Sequence, residues 1–235
     1  MKQEVVVTAD KVKRWHRLGK MLRLSLLIVL LLLIIAYIVL KVLFQDSNFI
    51  ISLKSNDDLE AGLAIYESLY DRTPKRVLKA KSLQFMDNIS EKWIPEDVDS
   101  EYDGSHNGDN YIAYTFYVEN QSDSVFDYWY SVIQDDVVKN VDEAIRIKIY
   151  VNGEATTYAK GNSINREAER GTVKFRNDED GTIVLAERAN SEPGNIDRIT
   201  VVIWIEGNDP ECVDAILGGE MLMHMSITEE HTQLD

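Results

Sequence analysis

The stretch "EAIRIKIYVNGEATTYA", residues 143–159, contains the clearest structural signal in this chain of 235 residues. Apolar residues at 145, 147, 149 and 151 alternate with Arg146, Lys148 and Tyr150. A period of two is typical of a β-strand with one buried and one solvated face. The Asn152-Gly153 pair that follows predicts a two-residue hairpin turn, because both residues tolerate positive φ.

Similar patterns recur on both sides of this hairpin. We count about nine candidate strands between residues 83 and 228, with turns often spaced as in antiparallel sandwiches. They are "SLQFMDN", "YIAYTFYVE", "VFDYWYSVI", "AIRIKIYV", "ATTYA", "GTVKF", "GTIVLAE", "RITVVIWIE" and "EMLMHMSI". A parallel sheet would require strands that alternate with helices, and the sequence shows no such alternation. The sequence therefore predicts a mainly β fold, an antiparallel β-sandwich over residues 83–228, with a C-terminal tail at 229–235.

One amphipathic helix is predicted ahead of the sandwich. In "SNDDLEAGLAIYESLYDR", residues 55–72, Ser55 is a candidate N-cap and Asp58 follows three residues later. Apolar residues at 59, 63, 66 and 70 then recur at spacings of four, three and four, which places them on one helical face. We expect a helix from Asp57 to about Tyr70, within a region of stalk and helix at 45–82.

A membrane anchor is predicted near the N-terminus. The stretch "LSLLIVLLLLIIAYIVL", residues 24–40, contains 17 residues without a charge, and about 20 apolar residues span a bilayer core. We therefore predict a transmembrane helix over residues 22–44. Seven Lys and Arg residues precede the apolar run, so residues 1–21 form a basic cytoplasmic tail and the C-terminal domain is extracellular. The alternative, a cleaved signal peptide, has a shorter apolar region and a cleavage site that "KVLFQDSNF" lacks.

The predicted exterior is strongly acidic. Residues 45–235 include 17 basic and 38 acidic residues, a formal charge of −21. This charge repels nucleic acid and anionic lipid, and it suits divalent cations or a basic protein partner. Cys212 is the only cysteine of the chain, so an intrachain disulfide cannot form, and we interpret it as a small buried hydrophobe.

The order of these motifs resembles bacterial surface proteins of the camelysin and TasA type. The resemblance covers roughly residues 83–228 and rests on "GDNYIAYTFYVEN", "VDEAIRIKIYVNG", a late strand with Trp204 before an acidic loop, and "GGEMLMHMSI". It implies a jelly-roll domain on a Gram-positive cell, in some relatives assembled into matrix fibres by strand exchange. Such relatives typically have a cleavable export signal, whereas this N-terminus resembles a permanent anchor.

The best candidate ligand site is a calcium site in "DVDSEYDGSHNGDN", residues 97–110. Asp99, Glu101 and Asp103 alternate as oxygen ligands do in an EF-hand loop, with Asn107 as a further ligand and Gly104 for the sharp turn. The match departs from that pattern at the twelfth position, where Asn110 replaces a bidentate Glu. A solvated acidic loop is the alternative interpretation, and no other cofactor is predicted.

Catalytic motifs are not apparent. Camelysin-type proteins have been classed as metallopeptidases, but this sequence has no HExxH motif. A zinc site would have to combine His224 and His231 with Glu229 or Glu230. The more ordinary interpretation is that His224 lies on a strand face and His231 in the C-terminal tail. "DGSHNGD" places Asp103, Ser105 and His106 almost side by side, a spacing that seldom permits the convergence of a catalytic triad. The sequence also lacks a GxSxG elbow and a phosphate-binding loop.

The loop in "TVVIWIEGNDPECVDAILGGEMLMHMSI", residues 200–227, is predicted to be a corner between two strands. Glu206, Asp209 and Glu211 could offer oxygens, but Asn208-Asp209-Pro210 and Gly218-Gly219 are strong turn signals.

We therefore expect a non-catalytic, membrane-anchored cell-surface protein with a structural or adhesive role. It would act through a protein partner or through self-association of strand edges. A calcium- or ligand-binding sensor and a cell-surface metallopeptidase remain as alternatives.

Overall fold

The computed structural model describes residues 21–37, 49–54, 62–83 and 85–229. These residues contain twelve strands, all within one compact unit, Ser47–Asp235. The strands are β1 (Phe49–Leu53), β2 (Leu63–Tyr66), β3 (Val77–Lys79), β4 (Gly104–Ser105), β5 (Tyr111–Asn120), β6 (Phe126–Val138), β7 (Ile145–Val151), β8 (Glu154–Ala159), β9 (Val173–Lys174), β10 (Thr182–Ser191), β11 (Ile196–Ile205) and β12 (Glu220–Thr228). Three short 3-10 turns cover Glu91–Trp93, Val141–Glu143 and Asp214–Ile216.

The strands form two mixed sheets. The five-stranded sheet has the order β10-β6-β12-β1-β3, and the seven-stranded sheet has the order β2-β5-β11-β7-β8-β9, with β4 paired to β5. Most neighbours are antiparallel, as predicted. Two pairs are parallel, β1 with β12 and β8 with β9, so the prediction of a wholly antiparallel sandwich is corrected.

The main core combines apolar side chains from both sheets, which is the arrangement of a β-sandwich. Ile147, Val201 and Phe116 of the seven-stranded sheet lie in one buried cluster with Phe49 and Met225 of the five-stranded sheet. The alternation seen in the sequence produces this core, because every second residue of β7 and β11 points inward. The alternate methionines of β12, at 221, 223 and 225, are likewise buried in it.

A second, smaller core lies on the outer face of the seven-stranded sheet. Trp204, Val202 and Tyr150 of that face pack against Ile94 and Val98 from the segment between β3 and β5. The segment therefore covers one face of the sheet and fixes the position of the acidic loop at residues 97–110.

The predicted hairpin at Asn152-Gly153 is confirmed, since Val151 pairs with Glu154 in the β7–β8 register and both turn residues have positive φ. "SLQFMDN" was predicted as a strand, but its described residues, all except Gln84, belong to neither sheet. The connection between β6 and β7 contains the 3-10 turn Val141–Glu143.

The predicted helix from Asp57 to Tyr70 is wrong in its described part. Leu63–Tyr66 is strand β2, antiparallel to β5, and all four of its residues are buried. A strand that is buried on both faces is apolar at every position, so the helical spacing of some of its apolar residues does not indicate a helix. Ser55 and Asp58, the predicted capping residues, lie outside the described residues. Since β1, β2 and β3 all pair into the sheets, the sandwich begins at Phe49 and not at residue 83.

Residues 21–37 are helical, which agrees with part of the predicted span at 22–44. Residues 38–44, the basic tail at 1–20 and residues 230–235 lie outside the described residues. Over the described part of the chain, no helix has both the length and the apolar character needed to cross a membrane.

Strand β10 lies at one end of the five-stranded sheet and contains ten residues. The other described strands at sheet edges, β2, β3, β4 and β9, contain four, three, two and two residues. The register of β10 with β6 is regular from Val184 to Arg188 and irregular at both sides of that stretch.

Candidate functional site

The loop after β11, residues 206–213, forms a fixed corner. Glu206 accepts hydrogen bonds from the indole of Trp204 at 3.0 Å and from the backbone N–H of Glu91 at 3.1 Å. Its other oxygen accepts from the side chain of Asn208 at 2.9 Å. Burial alone would raise the pKa of Glu206, but these hydrogen bonds outweigh it and lower the pKa. The corner predicted from the turn signals is therefore present, and its polar groups are paired.

A buried ion pair joins this corner to the outer face of β7. The guanidinium of Arg146 donates a hydrogen bond to Oδ2 of Asp209, and the side chain of Asp209 has no exposed surface. Its other oxygen, Oδ1, accepts the backbone N–H of Glu211 at 2.8 Å. Arg146 is thus one of the polar residues whose alternation identified β7, although it is buried instead of solvated.

Residues 161–171, here called the strap, connect β8 to β9 and contact the corner. The backbone N–H and the hydroxyl of Ser163 donate to Oε1 of Glu211 at 3.0 and 2.6 Å. Oxygens of Glu169, Asp209 and Glu211 all lie within 4.8 Å of one another. Oε1 of Glu169 is buried, and no donor among the described residues reaches it.

The close approach of these carboxylates separates their pKa values. Burial, followed by the neighbouring Glu211, raises the pKa of Asp209. The pKa of Glu211 is lowered to about 2, first by its contact with Asp209 and then by the donors of Ser163. Two such carboxylates titrate as a pair and can hold one proton between them.

We do not assign a metal to this group. Both oxygens of Asp209 are committed, one to Arg146 and one to a backbone N–H, and Oε1 of Glu211 accepts two hydrogen bonds. The guanidinium also supplies positive charge where a cation would otherwise be needed.

The residues of the predicted calcium site lie on the acidic loop, but two of them make other hydrogen bonds. Asp103 accepts the hydroxyl of Tyr117 at 2.6 Å, and Asn107 bonds the backbone of Ala113 and of Lys81. Within the described ranges, Asp99, Glu101 and Asp103 do not form a group of oxygens as close as 4.8 Å. Calcium binding in this loop stays a prediction, which a calcium titration of thermal unfolding tests.

The described residues considered for catalysis have other hydrogen-bond partners. The hydroxyl of Ser105 accepts the backbone N–H of Lys81 at 2.7 Å, and both ring nitrogens of His106 lie 2.9 Å from backbone carbonyl oxygens. His224 contacts Asp135 at 2.8 Å, while Glu230 and His231 lie outside the described residues. Cys212 is half-buried beside the main core, and burial raises the pKa of its thiol.

Sequence reasoning missed a buried polar network centred on Asp197 of β11. Asp197 is 1% exposed and accepts hydrogen bonds from Tyr128 of β6 at 2.9 Å, from Asn152 of the hairpin turn at 2.6 Å and from Arg188 of β10 at 3.1 Å. This Asp197 network therefore ties the two sheets together. No sequence motif announces it, because its members are up to 69 residues apart.

No protein-family model matches the chain, and no curated protein matches it. Among solved structures, a β-glucosidase from Kluyveromyces marxianus in complex with glucose is 14% identical, with a TM-score of 0.25, over 72% of this chain and 15% of that chain. Its selenomethionine-labelled form is 9% identical, with a TM-score of 0.28, over 72% and 16%. A GH31 α-xylosidase from Xanthomonas citri is 12% identical, with a TM-score of 0.23, over 52% and 12%.

The chain thus spans only 12% to 16% of the length of these proteins. Similarity at such TM-scores supports no argument about activity. The resemblance to camelysin and TasA stays a prediction.

Proposed function

We propose that this protein is a non-catalytic cell-surface protein, anchored by residues 22–44, whose β-sandwich binds a strand of another protein molecule along β10. The sandwich is proposed to be of the jelly-roll type. The single observation that supports a structural or adhesive role is the open edge of β10, the one long strand at a sheet end among the described residues.

β10 is longer than the other strands at sheet ends, although residues 154–157 of β8 also have no partner strand on their outer side among the described residues. Folded proteins commonly limit edge pairing by keeping edge strands short, and β2, β3 and β9 have four residues or fewer. Beyond Ile183, whose carbonyl accepts the N–H of Arg176, no backbone hydrogen bond from the described residues reaches the outer side of β10. The edge from Val184 to Arg188 therefore offers backbone donors and acceptors to an added strand.

Local features restrict this pairing to a short stretch. Register irregularities lie between Thr182 and Val184 and between Arg188 and Ser191, and such irregularities interrupt continuous pairing. Glu187 is exposed in the middle of the regular stretch. A stretch of five residues, two of which (Glu187 and Arg188) are charged, favours a specific partner over unlimited lateral association.

The anchor and the extracellular location are inferred from the sequence. An uncharged run of 17 residues follows seven basic residues, and residues 21–37 of that region are helical. The charge of −21 over residues 45–235 suits an exposed domain that remains soluble at the cell surface.

The edge is tested by site-specific photo-crosslinking on intact cells of the native host. A photoreactive residue replaces Glu187 in one variant and the exposed Glu154 of β8 in a matched control. We expect a discrete adduct from position 187 only. Ala186→Lys places a charge on the inner side of the edge, the device by which natural edges avoid pairing, and should abolish the adduct, whereas Ala155→Lys should leave it. Equal adducts at both positions, or none at 187, would contradict the proposal.

Location is tested separately by protease treatment of intact cells. Cleavage of the domain, with retention of the N-terminal fragment in the membrane pellet, is the expected result. A full-length chain in the soluble fraction would refute anchoring while leaving the edge proposal open to its own test.

A further inference from the structure

We propose that the strap, residues 161–171, is a proton-dependent latch, which is held against the corner while Asp209 and Glu211 share a proton and is released when that proton leaves. This regulatory role does not depend on the proposed edge pairing. It rests on the geometry of three carboxylates and one guanidinium.

The charge balance of this group favours the uptake of a proton. Oxygens of Glu169, Asp209 and Glu211 lie within 4.8 Å of one another, and Arg146 is the one cation in hydrogen-bond contact with the group among the described residues. Three full negative charges at this distance repel one another, and Asp209 has no exposed side-chain surface to dissipate its charge into water. Uptake of one proton relieves the repulsion.

Among the described residues, no Lys or Arg other than Arg146 forms an ion pair with the group, although Arg166 and Arg170 lie in the strap itself. Arg146 comes from β7, Asp209 and Glu211 from the corner, and Glu169 from the strap. Burial first, and then the charges of Asp209 and Glu206, raise the pKa of Cys212 beside them. Lys160, at the start of the connection, pairs instead with Asp142 at 2.6 Å and Glu143 at 2.8 Å.

The strap is attached to the corner at few points. Ser163 donates both of its hydrogen bonds to Glu211, while the other described hydrogen bonds of the strap are internal or come from Thr172 and Lys174, which follow it in the chain. Repulsion between Glu169 and the deprotonated pair therefore acts directly on the segment that Ser163 holds.

The sign of the pH effect follows from the pKa values. The pKa of Asp209 is raised in the closed strap. Protonated Asp209 therefore stabilises the closed strap fully at a pH below 3.8, the ordinary pKa of this side chain, and this stabilisation is lost as the pH rises through the raised pKa. Glu211, with a pKa of about 2, remains able to accept from Ser163 throughout that range.

The test is hydrogen exchange of the strap, followed by mass spectrometry on the full chain in mild detergent with a chelator present, across acidic to neutral pH. After correction for intrinsic exchange rates, we expect protection of the strap to fall about two- to fivefold with rising pH, the range typical of partly exposed charge pairs. Glu169→Gln should remove this dependence. Glu167→Gln, an equivalent change at an exposed position of the same strap, should keep it.

Ser163→Ala should lower protection at every pH, while protection of β11 shows that each variant remains folded. A strap whose protection does not change with pH would overturn the latch. The same conclusion would follow if Glu169→Gln behaved as the wild type, or if Glu167→Gln altered the profile equally.

Discussion

Replacement of Asp197 by asparagine should destabilise the domain far more than the loss of one surface carboxylate. The substitution keeps the shape of the side chain but removes its charge and converts one acceptor into a donor. Asp197 is 1% exposed and accepts hydrogen bonds from Tyr128, Asn152, Asn195 and Arg188. At least one of these donors must then face an NH₂ group.

The expected magnitude follows from the exposure of the partners. Removal of one member of a fully buried ion pair costs about 3 to 5 kcal/mol. The side chain of Arg188 is 37% exposed and can regain water, so we expect the lower end, about 3 kcal/mol. For a domain of this size each kcal/mol lowers the melting temperature by about 2 to 4 °C, which gives a decrease of about 6 to 12 °C.

The matched control is Asp178→Asn. Asp178 pairs with Arg176 at 2.7 Å, but both side chains are exposed, and such pairs contribute at most about 1 kcal/mol. Both variants change the net charge equally, so thermal and denaturant unfolding of the full chain in detergent isolates the effect of burial. If the free energies of unfolding of Asp197→Asn and Asp178→Asn differed by less than about 1 kcal/mol, the reasoning about the Asp197 network would be refuted.

The same network predicts a dependence on acid. Burial alone would raise the pKa of Asp197, but hydrogen bonds from Asn152, Arg188 and Tyr128 outweigh burial and lower it. The resulting stabilisation is present above the ordinary value of 3.8 and is lost as pH falls below it. The difference in stability between wild type and Asp197→Asn should therefore shrink in strong acid.

Three further substitutions test the fold. Arg146→Met leaves Asp209 buried without its cation and should cost about 3 to 5 kcal/mol in denaturant unfolding. Asn152→Ala places a residue with a Cβ and no side-chain amide at a φ of 53°, and strain of about 1 to 3 kcal/mol should lower the unfolding midpoint. Met225→Ala in the core should cost about 2 to 5 kcal/mol, whereas the partly exposed Leu222 of the same strand should tolerate alanine at a clearly smaller cost.

Strands with a clear period of two were predictable from sequence. In β7, β11 and β12 the alternation is long enough to identify the strand. The Asn152-Gly153 turn also specifies its own register, because few other residues adopt its backbone conformation. A local alternation of apolar and polar residues is sufficient to identify a strand when one face of that strand is buried and the other is exposed.

The prediction of a helix from Asp57 to Tyr70 was wrong because strand β2 is buried on both faces and its sequence does not alternate. Leu63 and Tyr66 fit a helical spacing, but Ala64 and Ile65 between them are apolar too, and all four are buried in β2. A short continuous apolar run after Gly62 was the available strand signal. Pairing with β5, which is distant in sequence, decided the outcome.

The polar sites were less predictable for the same physical reason. Asp209 and Glu211 were recognised as possible oxygen donors, but nothing in the sequence connected them with Glu169 or Arg146. Charge pairs of this kind form only after the sheets place distant segments together, so single-sequence patterns do not contain them.

The parallel pairing of β1 with β12 also has a mechanical consequence. In a chain anchored through residues 22–44, β1 is the first strand that tension from the membrane reaches. It lies between β12 and β3, so a pull along β1 shears both rows of backbone hydrogen bonds together instead of opening them one after another. Phe49 and Ile51, both fully buried, would have to leave the core in the same event. With the proposed anchor, the domain would be attached to its tether through an interior strand, and its lifetime under load would be set by the rate of that extraction.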